Sequence, residues 1–412
     1  MAIKQLTQRD ADALKPPNGY TASGNPVNQS FAWCERLPGF GIRCTRAGAK
    51  AWIAQGRAGT KERRITIGQH ALMSCDTARK RAKVVLQQFE DGIDPVIAEL
   101  KEKSKTTTLM QVAEDYIEHR VTKKGPLRPT TIADIRKHCT KALGAWQNRP
   151  IASIKPEEVQ AQFRALSKRG KAQANQAMRI FQSLHKWARK SNPTLPPNPV
   201  AVLEGEWHAM TPRTNRVPSD SVAEVWALLM RRRKVVDRKG TRTAADAVAL
   251  QMMTGMRWGE LSSMEWSQVD LEGKVPSWHV PSEVAKNWNA LTVPLSSQAV
   301  QLLRERRALG TRSAFVFPAR TSPKRHISDP RALWTELSDA CGVHLSSHAI
   351  RRTFINVAVR CGVELWKAEL LTNHIPKSVT LTFYLETNDL REGFAADVQR
   401  IADAIAKDGL DG

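Results

Sequence analysis

Tyrosine is scarce in this chain, and its few positions are unevenly spread. Only three tyrosines occur among 412 residues. Tyr20 and Tyr116 lie in the first third, whereas Tyr384 lies near the carboxyl end. Chemistry in the last two thirds that requires a phenol therefore has a single candidate.

Cysteine and long apolar runs are also in short supply. No pair of cysteines forms C-x-x-C, and their irregular spacing supports neither a zinc site nor a disulfide framework. We expect reduced, packed thiols and no metal or cofactor. No apolar run approaches the ~20 residues of a spanning helix, and the amino terminus lacks the apolar core of a signal peptide. We therefore expect an intracellular protein without a membrane partner. The cysteines are Cys34, Cys44, Cys75, Cys139, Cys341 and Cys361.

Acidic residues are outnumbered, with 63 Lys and Arg against 40 Asp and Glu and a net charge of +23. Such an excess indicates a polyanionic partner. Residues 1–106 carry a net +8, residues 107–215 carry +10 and residues 216–412 carry +5. The first two regions are therefore expected to grip DNA, and the last resembles a packed enzyme with a local positive site.

The amino-terminal region predicts a small α+β unit. Apolar side chains alternate from Phe40 to Cys44 and again at Trp52 and Ala54, beyond a turn at Gly48. This pattern favours a hairpin, residues 63–67 favour a third strand, and a helix should follow and end at Gly92. Polar residues 101–108 are typical of a linker.

Apolar stripes at helical spacing predict an all-helical region up to about Pro212, with a proline-rich break over residues 192–199. Residues 211–216 form a second candidate linker. The fold class is therefore multidomain α+β: a three-stranded sheet with a helix, a helical domain, and a mainly helical domain with a small antiparallel sheet.

The last third contains an ordered array of cations and imidazoles that ends in a phenol. Such a set can hold a phosphate, attack it and protonate the leaving oxygen without a metal. Each member alone has an ordinary structural explanation, such as a salt bridge, a helix cap or a packed ring. All six in one order make coincidence a weak explanation. The residues are Arg257, Lys286, His348, Arg351, His374 and Tyr384.

Local patterns suggest how these side chains are presented. Arg257 follows Gly255 at a sharp turn, with Glu260 placed to buttress it. Lys286 precedes a plausible hairpin turn. Ser347 is expected to cap a helix on which His348 and Arg351 face the same way. His348 is the candidate base that activates the phenol, and His374 is expected to donate to the phosphate.

These stretches resemble the tyrosine recombinases of phages and genomic islands. TGMRWGEL, AKNWNALTVPLS, HAIRRTF and LTNH followed by Tyr384 carry the resemblance over roughly residues 216–390. PGFGIRCTRAGAKAWI and ERRITIG resemble the amino-terminal arm-binding domain of island integrases. The family pattern usually has Leu-Gly where this chain has Thr372-Asn373, and an acidic residue where it has Ala349. The spacing from His374 to Tyr384 is also about one residue longer than usual.

The resemblance implies three domains: an arm-type DNA-binding domain (1–100), a helical, SAM-like core-binding domain (107–207) and a catalytic domain with a carboxy-terminal interaction segment (213–412). It also implies that Arg257, His348, Arg351 and His374 surround the scissile phosphate, that Lys286 is the general acid, and that Tyr384 forms a covalent 3′-phosphotyrosyl intermediate.

The implied partners are double-stranded DNA attachment sites, further copies of the chain in a homotetramer on DNA, and an accessory DNA-bending protein or directionality factor. The implied location is the bacterial cytoplasm, at the nucleoid. Integration and excision of a prophage or genomic island are the implied activity. Relaxation of DNA by a type IB topoisomerase and DNA binding by a non-catalytic regulator are the alternatives.

An apolar stripe follows Tyr384 at helical spacing, and two interpretations of it stay open. It can pack within its own domain, or it can be exchanged between copies, as the resemblance implies. The stripe consists of Leu390, Phe394, Val398, Ile401 and Ile405.

Overall fold

The computed structural model describes residues 2–3, 5–21, 23–122, 125–235, 240–374 and 391–407. The chain divides into two compact units, residues 1–210 and 211–412. Tyr384 and Leu390 lie outside the described residues. Within the described part, no helix is long and apolar enough to cross a membrane.

The first unit opens with a sheet and continues as helices. Its elements are β1 (Ala2–Ile3), α1 (Gln8–Ala13), β2 (Gln29–Cys34), β3 (Phe40–Thr45), β4 (Lys50–Ala58), β5 (Lys61–Gln69), α2 (Cys75–Glu90), α3 (Pro95–Thr106), α4 (Leu109–His119), β6 (Val121–Thr122), β7 (Gly125–Pro126), α5 (Pro129–Lys137), α6 (Pro156–Ser167) and α7 (Lys171–Ser191).

The amino-terminal sheet has the order β1-β2-β3-β4-β5, in which β2 to β5 are antiparallel and β1 pairs parallel to β2. Ala32, Ile42 and Trp52 lie side by side in this register. They are buried in one cluster with Ala78 and Ala82 of α2. The α+β class is confirmed, and α2 covers one face of the sheet.

The predicted count of three strands was wrong, because the two-residue β1 and the longer β2 were missed. The sequence of β2 shows why it was overlooked. Its burial pattern is the alternation expected of a half-buried strand, with Ala32 and Cys34 buried toward α2. Phe31 and Trp33 point to the opposite face, where their rings stack at 5.8 Å. Large apolar residues on both faces obscured the alternation in the sequence.

The predicted linker over residues 101–108 was also wrong, because α3 runs through most of it. Asp94 caps this helix and Pro95 occupies its first turn, both favourable at a helix start. Lys105 and Glu102 then pair at 2.5 Å across one turn. Polar composition masked a helix whose residues have good helical propensity.

The remaining helices of this unit enclose their own core. α7 buries a stripe that includes Ala177, Phe181 and Leu184. Ile135 and Cys139 pack into the same cluster, although α5 ends at Lys137 and the chain continues as a wider turn through Ala142. The helical prediction for this region is confirmed in the main, but the expectation of an all-helical region was wrong, because β6 and β7 form a short antiparallel pair between α4 and α5.

The second unit is mainly helical. Its elements are α8 (Val222–Arg233), α9 (Thr241–Thr254), α10 (Trp258–Ser262), β8 (Val269–Asp270), β9 (Ser277–Val280), β10 (Leu291–Pro294), α11 (Ser297–Ala308), β11 (Pro318–Ala319), β12 (Ser322–His326), α12 (Arg331–Cys341), α13 (Ser347–Arg360), α14 (Leu365–Leu371) and α15 (Arg391–Lys407).

α9 is the centre of this unit, since every residue from Ala244 to Thr254 is buried. α8 and α13 pack against it, and a small antiparallel sheet of order β10-β9-β8 lies in the same unit. A helix buried on all sides is a rigid support. The turn at its carboxyl end therefore starts from a fixed position.

The stripe on α15 packs within its own unit in this chain. Ile401 and Ile405 are fully buried in the core cluster that contains α9. Phe394 meets Trp366 of α14 edge to face at 6.1 Å. Of the two interpretations of the stripe, packing within its own domain is therefore the one that the described residues show.

Candidate active site

Arg257 lies in the turn that links α9 to α10. α9 ends at Thr254 and is followed by Gly255, whose φ of 63° is in the left-handed region that glycine adopts freely. A β-carbon there would lie 2.4 Å from Cδ1 of Phe354 on α13. Arg257 follows as the residue that precedes α10, and 21% of its side chain is exposed. The turn thus presents the guanidinium of Arg257 at the surface, and the buried end of α9 fixes the position of the turn.

Glu260 connects this arginine to the lysine loop. Its side chain is 2% exposed, and its Oε1 accepts from Nη1 of Arg257 at 3.2 Å. The same carboxylate accepts the backbone N–H of Arg257 at 3.3 Å and that of Lys286 at 3.0 Å. A buried carboxylate requires such partners, so the two cationic residues are linked through one anchor.

Lys286 lies in the loop between β9 and β10. These strands pair antiparallel, with Val280 opposite Leu291. Within the loop, the backbone N–H of Trp288 donates to the carbonyl of Ala285 at 3.0 Å, which places Lys286 at the second position of a turn. The residue is exposed. The ammonium group is therefore carried on a turn whose backbone Glu260 holds.

Arg351 is the buried member of the array, with 2% of its surface exposed. Its Nη1 donates to the carbonyl of Gly255 at 2.9 Å. Its Nη2 donates to the carbonyl of Thr372 and lies 3.0 Å from Nε2 of His374. Burial, with a smaller effect of nearby Arg257, lowers the pKa of Arg351 to about 9, so the guanidinium stays charged at neutral pH.

His374 follows α14, and its ring is held from both sides. Nε2 faces a guanidinium that can only donate, and Nδ1 lies 3.3 Å from the hydroxyl of Thr372. Burial first, then Arg351, Arg257 and His348, lower the pKa of His374 to about 4. The ring is therefore neutral with its hydrogen on Nδ1. Donation from Nε2 to a phosphate requires a proton shift, which an arriving anion favours.

His348 lies in the first turn of α13 and is exposed. The residue that precedes the helix is Ser346 rather than the predicted Ser347. Partial burial first, and then Arg352, Arg351, Lys286 and Arg257, lower the pKa of His348 below its ordinary value of 6.5. A neutral imidazole close to several cations can accept a proton.

The structure therefore brings five of the six predicted residues together. Arg257, Arg351 and His374 are joined by hydrogen bonds through the segment that precedes His374. Lys286 is tied to Arg257 through a shared carboxylate, and His348 lies within electrostatic range of both arginines. Tyr384, the sixth residue, lies outside the described residues.

The site is strongly cationic, and hydrogen bonds hold its two arginines and His374 in place before any ligand arrives. Two guanidiniums and the imidazole of His374 can stabilise the charge that develops on the non-bridging oxygens of an attacked phosphate. The loss of one preorganised donor of this kind typically costs about 10²–10³ in rate. The arrangement is suited to phosphoryl transfer.

Sequence reasoning missed the groups that orient the arginines. The carbonyls of Gly255 and Thr372 accept from Arg351, and the carbonyl of Asn373 accepts from Nη2 of Arg257 at 3.1 Å. Backbone acceptors leave no mark in a sequence. The available signal was Thr372-Asn373, which departs from the Leu-Gly of the resemblance.

A helical unit with a cationic site suited to a phosphate, joined to a basic amino-terminal unit, is typical of an enzyme that cleaves and rejoins a nucleic acid backbone. Comparisons with known proteins agree. The family model described as the phage integrase family matches residues 224–391, and the model described as an arm DNA-binding domain matches residues 6–102.

Individual proteins give the same result. Prophage integrase IntZ of Escherichia coli (strain K12) is 29% identical over 310 residues, which cover 73% of this chain and 74% of that protein. The crystal structure of a lambda integrase dimer bound to a COC′ core site covers 84% of this chain and 93% of its own, with a TM-score of 0.51 and 15% identity. The Tn1549 transposon integrase, in complex with transposon right end DNA, covers 68% of this chain and 95% of its own, with a TM-score of 0.50 and 16% identity. The structural likenesses show the shared fold.

The chain belongs to the phage integrase family of tyrosine recombinases and carries an amino-terminal arm DNA-binding domain. It is a site-specific recombinase of the prophage integrase type, an enzyme that cleaves and rejoins DNA. The function is therefore recombination rather than either alternative left open by the sequence.

Proposed function

We propose that Tyr384 is the nucleophile of this recombinase and that the five clustered residues activate the phosphate that it attacks. The observation that carries the proposal is the hydrogen-bonded assembly of Arg257, Arg351 and His374 beside the loop of Lys286. Since Tyr384 is the last tyrosine of the chain, no other phenol follows this assembly.

The step balances without a cofactor. The phenol oxygen of Tyr384 bonds to phosphorus while the bond from phosphorus to the 5′-oxygen breaks. His348 takes the phenol proton, and Lys286 gives a proton to the leaving 5′-oxygen. The product is a 3′-phosphotyrosyl link and a free 5′-hydroxyl. Attack by a 5′-hydroxyl from another strand reverses these transfers and restores a phosphodiester, so resealing consumes no ATP.

The arginines and His374 act on the charge of the phosphate. Arg257 is partly exposed at its turn and offers a rigid fork of donors. Arg351 is buried and fixed by carbonyls, so it supplies a charge whose position is preset. A phenol of pKa ~10 is a poor nucleophile at neutral pH and needs both the base and this cationic field.

The division of labour along the chain follows from charge and from the family models. We assign residues 1–100 to arm-type DNA, residues 107–207 to the core site and residues 213–412 to catalysis. The arm model over residues 6–102 and the division of the fold at residue 210 support these limits. The positive charge of the first two regions suits the DNA backbone.

The substrates we propose are double-stranded attachment sites of a prophage or genomic island, which the enzyme integrates and excises. Lambda integrase has been solved as a dimer on a core site and as a tetramer bound to a Holliday junction. By analogy this chain acts as a homotetramer on DNA, with a DNA-bending protein or a directionality factor as accessory. Its place is then the bacterial cytoplasm, at the nucleoid.

The proposal is tested by trapping the covalent adduct. Wild-type protein is incubated in EDTA with a nicked attachment-site duplex and then denatured in SDS, and a protein band that carries labelled DNA is expected. Tyr384→Phe should bind the duplex and give no adduct. Tyr20→Phe is the matched control, because Tyr20 is 68% exposed and its loss should leave the adduct intact. An adduct formed by Tyr384→Phe would refute the assignment.

A further inference from the structure

The loop that carries Lys286 is held at a second point besides Glu260. Asn287, the next residue, places its Nδ2 2.8 Å from Oδ1 and 3.2 Å from the carbonyl of Asn373. Its own Oδ1 accepts the backbone N–H of Asn289 at 3.2 Å. Because that N–H can only donate, the orientation of the Asn287 amide is fixed, and its Nδ2 points to Asn373.

Asn373 is suited to receive this contact. It is 6% exposed and has a φ of 54°, in the left-handed region that asparagine tolerates better than most residues. Its carbonyl also accepts from Nη2 of Arg257 at 3.1 Å, and its Nδ2 lies 3.4 Å from the carbonyl of Asn289. The next residue is His374. Asn373 thus contacts the loop of Lys286 and the side chain of Arg257, and it directly precedes His374.

A glycine at this position would keep the backbone but not the contact. Glycine adopts a φ of 54° freely, yet it has no Oδ1 to accept from Asn287. Thr372-Asn373 is where the chain departs from the Leu-Gly of the family pattern. The Asn373 side chain therefore links the loop of Lys286 to the segment that precedes His374. The glycine of the family pattern cannot make this contact.

We propose that Asn287 and Asn373 form a positioning pair, which holds the turn of Lys286 beside Arg257 and His374 so that the ammonium reaches the leaving oxygen. This inference rests on the proposed role of Lys286 as general acid. Neither asparagine is given a chemical step. Their effect is exerted through the lysine, whose backbone is then anchored by Glu260 on one side and by Asn373 on the other.

The pair can be tested with a substrate that needs no acid. In a duplex with sulfur at the bridging 5′-position of the scissile phosphate, the leaving group departs as a thiolate, which is stable without a proton. A defect confined to proton donation slows cleavage of the oxygen duplex and leaves cleavage of the sulfur duplex unchanged. A general loss of site structure slows both.

Asn373→Gly and Asn287→Ala are the variants, and cleavage is followed in a single turnover at saturating DNA. Since general acid catalysis is worth about 10²–10⁴, a displaced acid should slow the oxygen duplex about tenfold or more. Cleavage of the sulfur duplex should stay within about twofold of wild type. Asn373→Asp retains Oδ1, so it should restore part of the rate. Ser282→Ala, in the same loop, removes a hydroxyl that donates to the neighbouring Glu283 and should resemble wild type.

Equal losses on both duplexes, or no loss on either, would overturn the positioning pair. Lys286→Ala separates this outcome from failure of the proposed function. Suppose that Lys286→Ala cleaves the oxygen duplex slowly and the sulfur duplex at the normal rate, and that neither asparagine variant shows this difference. Then only the positioning pair is wrong. If Lys286→Ala is equally slow on both duplexes, Lys286 is not the acid, and the premise itself fails.

Discussion

The positions of Arg351 and His374 are determined by contacts with neighbouring protein groups. Arg351 donates hydrogen bonds to two backbone carbonyls and contacts Nε2 of His374. It therefore fixes the turn at Gly255 to the segment that precedes His374 as well as supplying charge. Replacement by lysine would keep the charge but lose the fork, since an ammonium cannot match several fixed acceptors at once.

The two imidazoles should keep the enzyme active in mild acid. Burial and nearby cations hold the pKa of His374 at about 4 and that of His348 below 6.5. A lowered pKa keeps His348 neutral, and so able to accept the phenol proton, as the pH falls. We expect the acid limb of kcat/KM for cleavage, which reports on the free enzyme, to have its midpoint below pH 6.5, the ordinary histidine pKa.

Cleavage of a nicked duplex is measured as a function of pH, with DNA affinity followed in parallel on Tyr384→Phe. An acid limb with its midpoint at or above pH 6.5 would contradict the cited shift. The same shifts bear on stability. The unfolded chain binds more protons than the folded one between about pH 6.5 and about pH 4, so the free energy of unfolding should decrease as pH falls through this window.

At the scale of elements, the site depends on one tight crossing. α9 ends where α13 passes, and Gly255 lies between them without room for a side chain. The same residue offers its carbonyl to Arg351. The turn therefore determines where Arg257 emerges and how α13 is docked, so packing and catalysis share one residue.

Gly255→Ala should impair both the packing of α9 against α13 and the rate of cleavage. The added β-carbon would lie 2.4 Å from Phe354 Cδ1 and 2.7 Å from Thr372 Cγ2, at a φ of +63°. Strain of this kind costs about 1–3 kcal/mol, so the variant should melt earlier and cleave more slowly. Gly259→Ala is the control, since nothing lies within 4 Å of its β-carbon. Thermal unfolding of both proteins decides the matter, and equal melting temperatures would refute the packing argument.

The elements show which features a sequence reveals. The start of α6 carries local marks, since Pro156 opens it and Glu157 and Glu158 lie in its first turn. The strand at residues 29–34 was not, because Phe31 and Trp33 place apolar rings on the face away from α2. The gathering of Arg257, Lys286 and His374 could be anticipated only from their order along the chain. The amide contacts of Asn373 depend on tertiary structure and leave no local pattern.

At the scale of the whole molecule, the carboxy-terminal helix belongs to the core of the second unit. Val398, Ile401 and Ile405 are buried among residues of α8, α9 and α13. Truncation before α15 would therefore expose the core, and its effect would not be confined to assembly between copies. The α15 of a neighbouring copy could cover the same surface only if the α15 of the chain itself were displaced from it.

Ile401→Ala should consequently weaken the unit as a core substitution does. Ile401 is fully buried, and truncations of this kind cost about 2–5 kcal/mol. Val359→Ala, at a position 49% exposed on α13, should change stability by about 0.5 kcal/mol or less. Urea titration with hydrogen exchange of α9 amides measures both. Unchanged α9 protection in Ile401→Ala would show that α15 is not part of this core.

The central claim is that one phenol, the last in the chain, carries the covalent link to DNA. The most direct measurement is identification of the linked residue. The adduct is trapped on a nicked attachment-site duplex, digested with protease and nuclease, and sequenced by mass spectrometry. We predict a nucleotide joined through its 3′-phosphate to the phenol oxygen of Tyr384. A nucleotide on Tyr20, on Tyr116 or on a serine, or linkage through a 5′-phosphate, would contradict it.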